Sequence, residues 1–230
     1  IDRMGWLPRQ GVQFHWTQDP LAPAADFSGL LASLQREKRK KIQQERRRVA
    51  EAGIEFKVFE GRHITKALWD FFYACYETTY QAHRSTPYLT REFLAAMAEQ
   101  MPEHWVMFMA HRKQAPVAAS LVAIDRAQGV AYGRYWGCTE HVPLLHFEAC
   151  YYQPLQWCIE QGLQRFEGGA QGEHKMARGL LPVTTRSAHW LAHPQFARAV
   201  QDFLEQEGAG MAEYVDELRE HSPFKATPAG

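Results

Sequence analysis

The fold is predicted most clearly by residues 129–168, which read GVAYGRYWGCTEHVPLLHFEACYYQPLQWCIEQGLQRFEG. The first part, 129–136, is an alternating aromatic stretch that is typical of a strand. Apolar residues at helical spacing then predict a helix over 144–161, and a second strand is predicted at 164–168. Pro154 lies inside the helix and is expected to kink it, because proline has no amide hydrogen to donate to the preceding turn.

Upstream residues add more strands to the same sheet. Alternation predicts strands at 55–59, 104–111 and 115–124. Thr65 and Thr90 are typical N-cap residues of two helices that follow the first of these strands. The predicted order is strand, two helices, three strands, helix and strand. Such an order describes an α/β fold with a mixed sheet, in which central strands separate and a ligand binds at the sheet ends.

The outer parts of the chain complete this pattern. Residues 11–16 alternate like a strand, and helix-forming residues dominate a single predicted helix over 27–52. A last strand is predicted at 184–191. A helix is predicted at 194–207, and the tail after it is expected to be helical near 211–220 and then disordered.

Composition excludes several classes of protein. Hydrophobic residues make up 46% and aromatic residues 13% of the 230 residues, which is too much for a disordered chain. No apolar run approaches the roughly 20 residues of a membrane span, and the N-terminus lacks a signal-peptide pattern. The cysteines form no CxxC pair and are expected to be reduced thiols of a cytoplasmic protein: Cys75, Cys138, Cys150 and Cys158.

One segment is strongly basic although the whole chain has zero net charge. Residues 36–48 contain eight Lys or Arg and two Glu, and their charges surround most of the predicted helix, which excludes a membrane anchor with a wide apolar face. The segment is either a solvated helix face or a site for phosphates of RNA, lipid head groups or nucleotides. The candidate phosphate contacts are Arg36, Lys40, Lys41 and Arg47.

The densest polar cluster is the glycine-rich segment 167–179, EGGAQGEHKMARG. Its four glycines let backbone amides approach a ligand, and its charged side chains can position an amine, remove its proton and hold an anion. The alternative is a flexible loop with solvated charges. No Walker, HExxH or His-x-His motif is present, so no metal site is predicted. The candidate catalytic groups are Glu173 and His174, and the candidate substrate contacts are Gln171, Lys175 and Arg178.

Two further candidates lie on the predicted helix and on the strand before it. Glu148 lies on the apolar face of the predicted helix. A carboxylate at such a position either belongs to an active site or forms an ion pair, for example with Arg134 or Arg178. Taken as catalytic, Glu148 is expected to face the segment 167–178 across a common cleft. Arg134 and Tyr135 stand in an aromatic strand that suits recognition of an anion or a planar ligand, with a structural ion pair as the alternative.

Four motifs together resemble a bacterial family of N-acyltransferases associated with peptidoglycan biosynthesis or recognition: STPYLT (85–90), YGRYWG (132–137), HFEACYY (146–152) and EGGAQGEHK (167–175). The family is similar to the Fem aminoacyltransferases, which are built from two GNAT-type domains in tandem. The resemblance covers about residues 1–205. It implies a GNAT-type acyltransferase fold, with this chain as the second domain of the pair.

The resemblance also implies a division of the chain and a donor. The parts would be closing strands of a truncated first domain (1–25), a basic linking helix (26–53), the acyltransferase domain (54–207) and a partly disordered tail (208–230). The donor would be acyl-CoA or aminoacyl-tRNA, with the basic helix docking the tRNA and Tyr88 of the first motif contacting substrate. The usual GNAT pyrophosphate loop is not visible before Leu144, which argues against acetyl-CoA.

These features favour transfer of an acyl or aminoacyl group to an amine of a small molecule or peptide, in peptidoglycan or other cell-wall precursor metabolism. One alternative is a non-catalytic module that binds a cell-wall precursor or nucleic acid. Another is a structural half of a longer enzyme, since the chain begins without Met. The pattern predicts no oligomeric state.

Overall fold

A computed structural model describes residues 5–170 and 172–225 of the chain. The strands are β1 (Leu7–Thr17), β2 (Ile54–Glu60), β3 (Trp105–Arg112), β4 (Ala115–Asp125), β5 (Val130–Cys138), β6 (Arg165–Glu167) and β7 (Leu181–His189). The helices are α1 (Phe27–Ser33), α2 (Arg36–Glu51), α3 (Lys66–Ala82), α4 (Arg91–Gln100), α5 (Leu145–Phe147), α6 (Gln153–Glu160) and α7 (Pro194–Glu220). A π-helical turn, Glu148–Tyr152, joins α5 to α6.

All the strands belong to one mixed sheet with the order β2-β3-β4-β5-β6-β1-β7. Only β5 and β6 run parallel, and their pairing is short, from Val130 with Arg165 to Tyr132 with Glu167. Beyond this point β5 continues beside β4, whereas the amide of Gly168 donates to the carbonyl of Phe14 on β1. The predicted mixed sheet and the predicted separation of its central strands are therefore present.

Helices cover both faces of the sheet. On one face α3 and α4 pack over β3 and β4, through residues such as Phe72 and Met107. On the other face α1, α2 and the π turn pack over side chains such as Phe108 and Phe166. Full burial of each such side chain contributes about 1.5–3 kcal/mol to the stability of the fold. Both helical layers are therefore held firmly against the sheet in which β5 and β6 separate.

The single helix predicted over 27–52 is wrong, because the chain breaks at Leu34 into α1 and α2. Leu34 is fully buried and has an extended backbone. The break accommodates the C-terminal segment, since the Gln35 amide donates to Pro223 (2.9 Å) and the Lys225 amide donates to Ser33 (3.0 Å). At the break, hydrogen bonds within a helix are thus replaced by hydrogen bonds to residues far along the chain.

The C-terminal region also departs from the prediction. The segments 194–207 and 211–220 form one helix, α7, although each interior glycine costs about 1 kcal/mol relative to alanine. Val215 and Leu218 are buried against the rest of the molecule, and this packing holds the helix through Gly208 and Gly210. The predicted disordered end lies in 226–230, outside the described residues.

Strand β1 is an internal strand of the sheet, paired with β6 on one side and β7 on the other. The boundary predicted after residue 25 therefore does not separate two sheets. All four cysteines are free thiols. Within 5–170 and 172–225, no helix combines the length and apolar character that crossing a membrane requires.

Candidate functional site

The opening between β5 and the glycine-rich segment contains a cavity of about 160 Å³. β4 and β5 form one wall, and the π turn forms the other. Near the cavity the register of β4 and β5 shifts between Leu121 and Val122, which leaves Arg134 without an opposite residue. The predicted strict alternation of side chains on this strand is therefore interrupted. Polar or titratable side chains in the lining are Ser120, Arg134, Tyr135, His146, Cys150 and Tyr151.

The π turn is explained by Pro154. The amide of Gln153 donates to the carbonyl of Glu148, five residues earlier, and Pro154 has no amide to offer Ala149. The Ala149 carbonyl instead accepts a hydrogen bond of 2.6 Å from the hydroxyl of Ser120 on β4. The predicted kink is thus a widened turn, and it brings consecutive side chains of the motif 146–152 to the cavity.

The glycine-rich segment crosses β1 at close range. A Cβ atom at Gly168 would collide with the side chain of Leu180 and would lie 3.1 Å from the carbonyl oxygen of Phe14. Gly172 has a φ of +94°, in the left-handed region that favours glycine. After it, residues Glu173–Arg178 form a 3-10 helix rather than the predicted open loop. The glycines thus serve a tight backbone path, and the polar side chains follow on a short helix.

Two imidazoles and a phenol meet at the edge of the cavity. Nε2 of His174 lies 3.4 Å from the hydroxyl of Tyr151, and His146 packs edge-on against Tyr151 with 5.7 Å between the ring centroids. Burial, assisted by the nearby His174, Arg178 and Lys175, lowers the pKa of His146 to about 4. Burial, with Arg178 and Lys175, also lowers the pKa of His174. Both rings are therefore neutral at neutral pH.

Lys175 is a buried cation next to the glycine-rich backbone. Only 5% of the residue is exposed, and its ammonium group donates to the carbonyl of Gly169 at 3.2 Å. Burial lowers the pKa of Lys175, against a smaller opposing effect of Cys150. Since an ammonium group has three donors and this one makes a single hydrogen bond within the described residues, it can still donate to an anionic ligand.

Arg178, predicted to contact substrate, is instead held inside the protein. It is 3% exposed, and its guanidinium donates to both carboxylate oxygens of Glu45 on α2, at 2.9 and 3.2 Å. The hydroxyl of Tyr152 donates to the same carboxylate. Arg178 also donates to the carbonyl of His174 (2.6 Å) and stacks on Phe147. The pair thus anchors the 3-10 helix that carries His174.

Sequence reasoning missed Glu45, although a signal was available. Glu45 lies three residues after Ile42 and four before Val49, and all three are the buried residues of α2. A carboxylate at an apolar position of a basic helix indicates a buried partner, because an unpaired buried charge is costly.

Glu148 and Glu173 do not share a cleft, so that prediction is wrong. Glu148 is 4% exposed and faces α2, where it accepts hydrogen bonds from Arg46 (3.1 Å) and Gln153 (2.7 Å). Its partner is therefore neither Arg134 nor Arg178. Glu173 is exposed and accepts a hydrogen bond of 2.9 Å from Tyr214 on α7. The widened turn directs Glu148 away from the cavity, whose lining includes neither carboxylate.

The other candidate substrate residues have different positions. Arg134 is exposed beside the cavity, stacks 5.1 Å from the ring centroid of Tyr132, and makes no ion pair within the described part of the chain. Tyr135 lines the cavity, and its hydroxyl is hydrogen-bonded to that of Tyr88. Gln171 lies outside the described residues.

The four candidate phosphate contacts on α2 are all exposed, and only Arg47 has a nearby carboxylate among the described residues, Glu51 at 3.7 Å. The opposite side of α2 carries the residues that hold the site, Glu45 and Arg46. Across 5–170 and 172–225, no group of three or more His, Cys, Asp or Glu side chains has a metal-binding arrangement.

Solved structures with a similar fold were found, whereas a search of curated proteins gave no significant match. L-PGS from Bacillus licheniformis superposes with a TM-score of 0.61 and 11% identity, over 88% of this chain and 68% of that one. The C-terminal domain of a protein described as a lysylphosphatidylglycerol synthetase, from Agrobacterium fabrum, gives 0.60 and 11% over 89% and 67%. FemX gives 0.54 and 11% over 80% and 63%.

These similarities show a shared fold, and the chain spans about two thirds of the length of each structure. The predicted α/β fold with a mixed sheet is thereby confirmed, and it is shared with FemX. A family model described as FemAB-like, peptidoglycan biosynthesis/recognition, matches residues 1–226. The resemblance predicted from the four motifs is also confirmed, and this chain belongs to the FemAB-like family.

Proposed function

We propose that this chain transfers an acyl or aminoacyl group to an amine, at the cavity between β5 and the π turn. The supporting observation is the combination around this cavity of neutral imidazoles, a tyrosine hydroxyl and a buried ammonium group. Family membership supports a peptidoglycan or other cell-wall precursor as the source of the amine. The reaction takes place in the cytoplasm, where both acyl-CoA and aminoacyl-tRNA are made.

The acceptor amine must lose a proton as it attacks the acyl carbon. Neutral His174 takes this proton through the hydroxyl of Tyr151, which reaches from the cavity to His174. The imidazolium then returns a proton to the departing alcohol or thiol. General base catalysis of this kind contributes roughly 100- to 10,000-fold in rate.

Lys175 stabilises the negative charge that develops on the acyl oxygen. Its ammonium group donates to the carbonyl of Gly169, the residue after the cavity-lining Gly168, and retains donors for an anion. Because the cation is already buried and positioned, little reorganisation is needed when charge develops. Removal of one such donor typically costs about 100- to 1,000-fold in kcat.

The exposed basic side of α2 supports aminoacyl-tRNA as the donor. Arg36, Lys40 and Lys41 form no ion pair within the described residues and are available to phosphates. If several of them contact RNA, affinity falls steeply with salt, whereas binding of an uncharged small molecule does not. The same salt titration tests the alternative of a nucleic-acid-binding module, which predicts steep binding without turnover.

The proposal is tested with labelled aminoacyl-tRNA or acyl-CoA and a peptide amine acceptor. His174→Gln and Lys175→Met are expected to reduce kcat by at least about 100-fold. Glu173→Gln is the matched control, because Glu173 belongs to the same 3-10 helix but is hydrogen-bonded to Tyr214 on α7 rather than to Tyr151. Equal turnover in all three variants and the unaltered protein would remove the site assignment.

A further inference from the structure

We propose that a cleft between α3 and α4 is a second ligand site, and that it binds a small organic amine with an apolar body. The inference goes beyond the proposed function and does not depend on it. The cleft has a volume of about 480 Å³, within the range of roughly 300–1,000 Å³ that is typical of small-molecule sites. It lies on the face of the sheet opposite the π turn, and in the described part of the chain it shares no lining residue with the cavity. The apolar and aromatic residues of this α3–α4 cleft are Ile64, Trp69, Tyr73, Leu94, Ala95 and Ala98.

The α3 wall of the α3–α4 cleft is apolar and well packed. Trp69 is buried, and its ring packs edge-on against Phe72 and Trp105, with 6.1 and 6.3 Å between the ring centroids. On the α4 side the lining contains Ala95 and Ala98, whose small side chains leave space that larger ones would fill. An apolar wall that is already ordered can bind an apolar ligand without the cost of ordering side chains first.

The two cations that line the α3–α4 cleft already have acidic partners. The ammonium group of Lys66 donates to Asp70 at 2.6 Å. Where α4 begins, the guanidinium of Arg91 stacks 4.3 Å from the ring centroid of Tyr73 and lies 3.4 Å from both Asp70 and Glu77. The described lining therefore offers no unpaired positive charge to an anionic ligand.

Two carboxylates of the lining, by contrast, have no cationic partner. Glu92 and Glu99 are exposed at the cleft and form no ion pair within 5–170 and 172–225. Hydrogen bonds with its own backbone and with Thr90 hold the pKa of Glu92 below its usual value, so this group is ionised at neutral pH. An ammonium group can bind these carboxylates while its apolar body contacts Trp69, whereas a carboxylic acid is repelled by them. The charges of the α3–α4 cleft therefore favour an amine.

The test is titration of this whole chain, isotopically labelled at tryptophan, with n-octylamine, n-octanol and n-octanoate. Trp69 lines the α3–α4 cleft and Trp136 lines the cavity, so their indole NMR signals report on the two places separately. Each signal is assigned by replacing its tryptophan with phenylalanine. Octylamine is expected to shift the Trp69 signal to saturation, with a Kd at least about 3-fold lower than that of octanoate, because only the amine has a charge opposite to the carboxylates.

Three variants separate the effect of charge from that of shape. Glu99→Lys is expected to raise the Kd for octylamine about 2- to 30-fold and to lower that for octanoate, while octanol binds as before. Glu103→Lys is the matched control, because Glu103 is an exposed carboxylate four residues further on and outside the lining. Ala98→Leu fills the cleft and is expected to weaken octylamine and octanol alike by at least about 10-fold, since each buried methylene contributes roughly 4-fold in affinity.

The outcomes separate this inference from the proposed function. Octanoate that binds as tightly as octylamine, or an octylamine titration that shifts the Trp136 signal and leaves that of Trp69 in place, overturns the amine site. A parallel shift of every indole signal shows non-specific association and overturns it as well. These results leave acyl transfer intact, because turnover in the His174 and Lys175 variants tests that proposal. A Trp69 shift that saturates and depends on Glu99 supports the amine site whether or not the chain transfers an acyl group.

Discussion

The π turn has two sides, and the polar residues on them differ in whether they form ion pairs. On the side that faces α2, Glu148 is paired with Arg46 of α2. Beside this pair in the α2 sequence, the buried Glu45 is paired with Arg178. On the cavity side, His146 and Tyr151 have no ionic partner in the described residues, and burial lowers the pKa of His146. The difference shows that charged residues of one motif can hold the framework while uncharged ones remain available for chemistry.

The largest expected effect tests the α2 side. Glu45→Ala leaves Arg178 buried without its counter-charge and is expected to lower the free energy of unfolding by about 3–5 kcal/mol, as measured by urea denaturation. Glu51→Ala is the matched control, since it removes a carboxylate from the same helix that, within 5–170 and 172–225, forms only an exposed ion pair with Arg47. Equal stability of the two variants would show that the buried pair does not anchor the 3-10 helix.

The cavity side is expected to respond to pH. The pKa of His146 is about 4, below its ordinary value near 6.5, so the unfolded chain binds the proton more readily. Stability is therefore retained above pH 6.5 and lost as the pH falls towards 4, by up to about 3 kcal/mol. Thermal or urea denaturation from pH 7 to 4 measures this slope. His146→Phe should flatten it, and an unchanged slope would assign the effect to other groups.

A smaller effect is expected from Glu148→Gln. The amide preserves the shape of the side chain but loses the charge that Arg46 binds, and stability is expected to fall by about 1–3 kcal/mol. Turnover is expected to stay within about 3-fold, because the carboxylate does not reach the cavity. A large loss of kcat with unchanged stability would return Glu148 to the catalytic group.

Much of the fold was predictable from local patterns. The caps at Thr65 and Thr90 and the alternating strands predict features that the structure contains, because each depends on neighbouring residues. The effect of Pro154 was predictable only in part. Loss of the amide is local, but a widened turn requires Ser120, on another strand, to satisfy the Ala149 carbonyl.

The pairing of charges could not be predicted from the sequence. Arg178 and Glu45 are 133 residues apart, and Arg46 and Glu148 are 102 apart. Which carboxylate meets which guanidinium depends on how α2 docks against the π turn. Arg178 and Lys175 therefore received the same predicted role, although Arg178 is bound by Glu45 on α2 and Lys175 by the carbonyl of Gly169.

The most direct test compares Tyr151→Phe with Glu148→Gln in one experiment, in which kcat and the free energy of unfolding are measured for both. Tyr151→Phe removes only the hydroxyl that links the cavity to His174. We predict that it lowers kcat by at least about 100-fold with little loss of stability, while Glu148→Gln does the reverse. Full turnover in Tyr151→Phe together with inactive, stable Glu148→Gln would contradict the assignment of chemistry to the cavity.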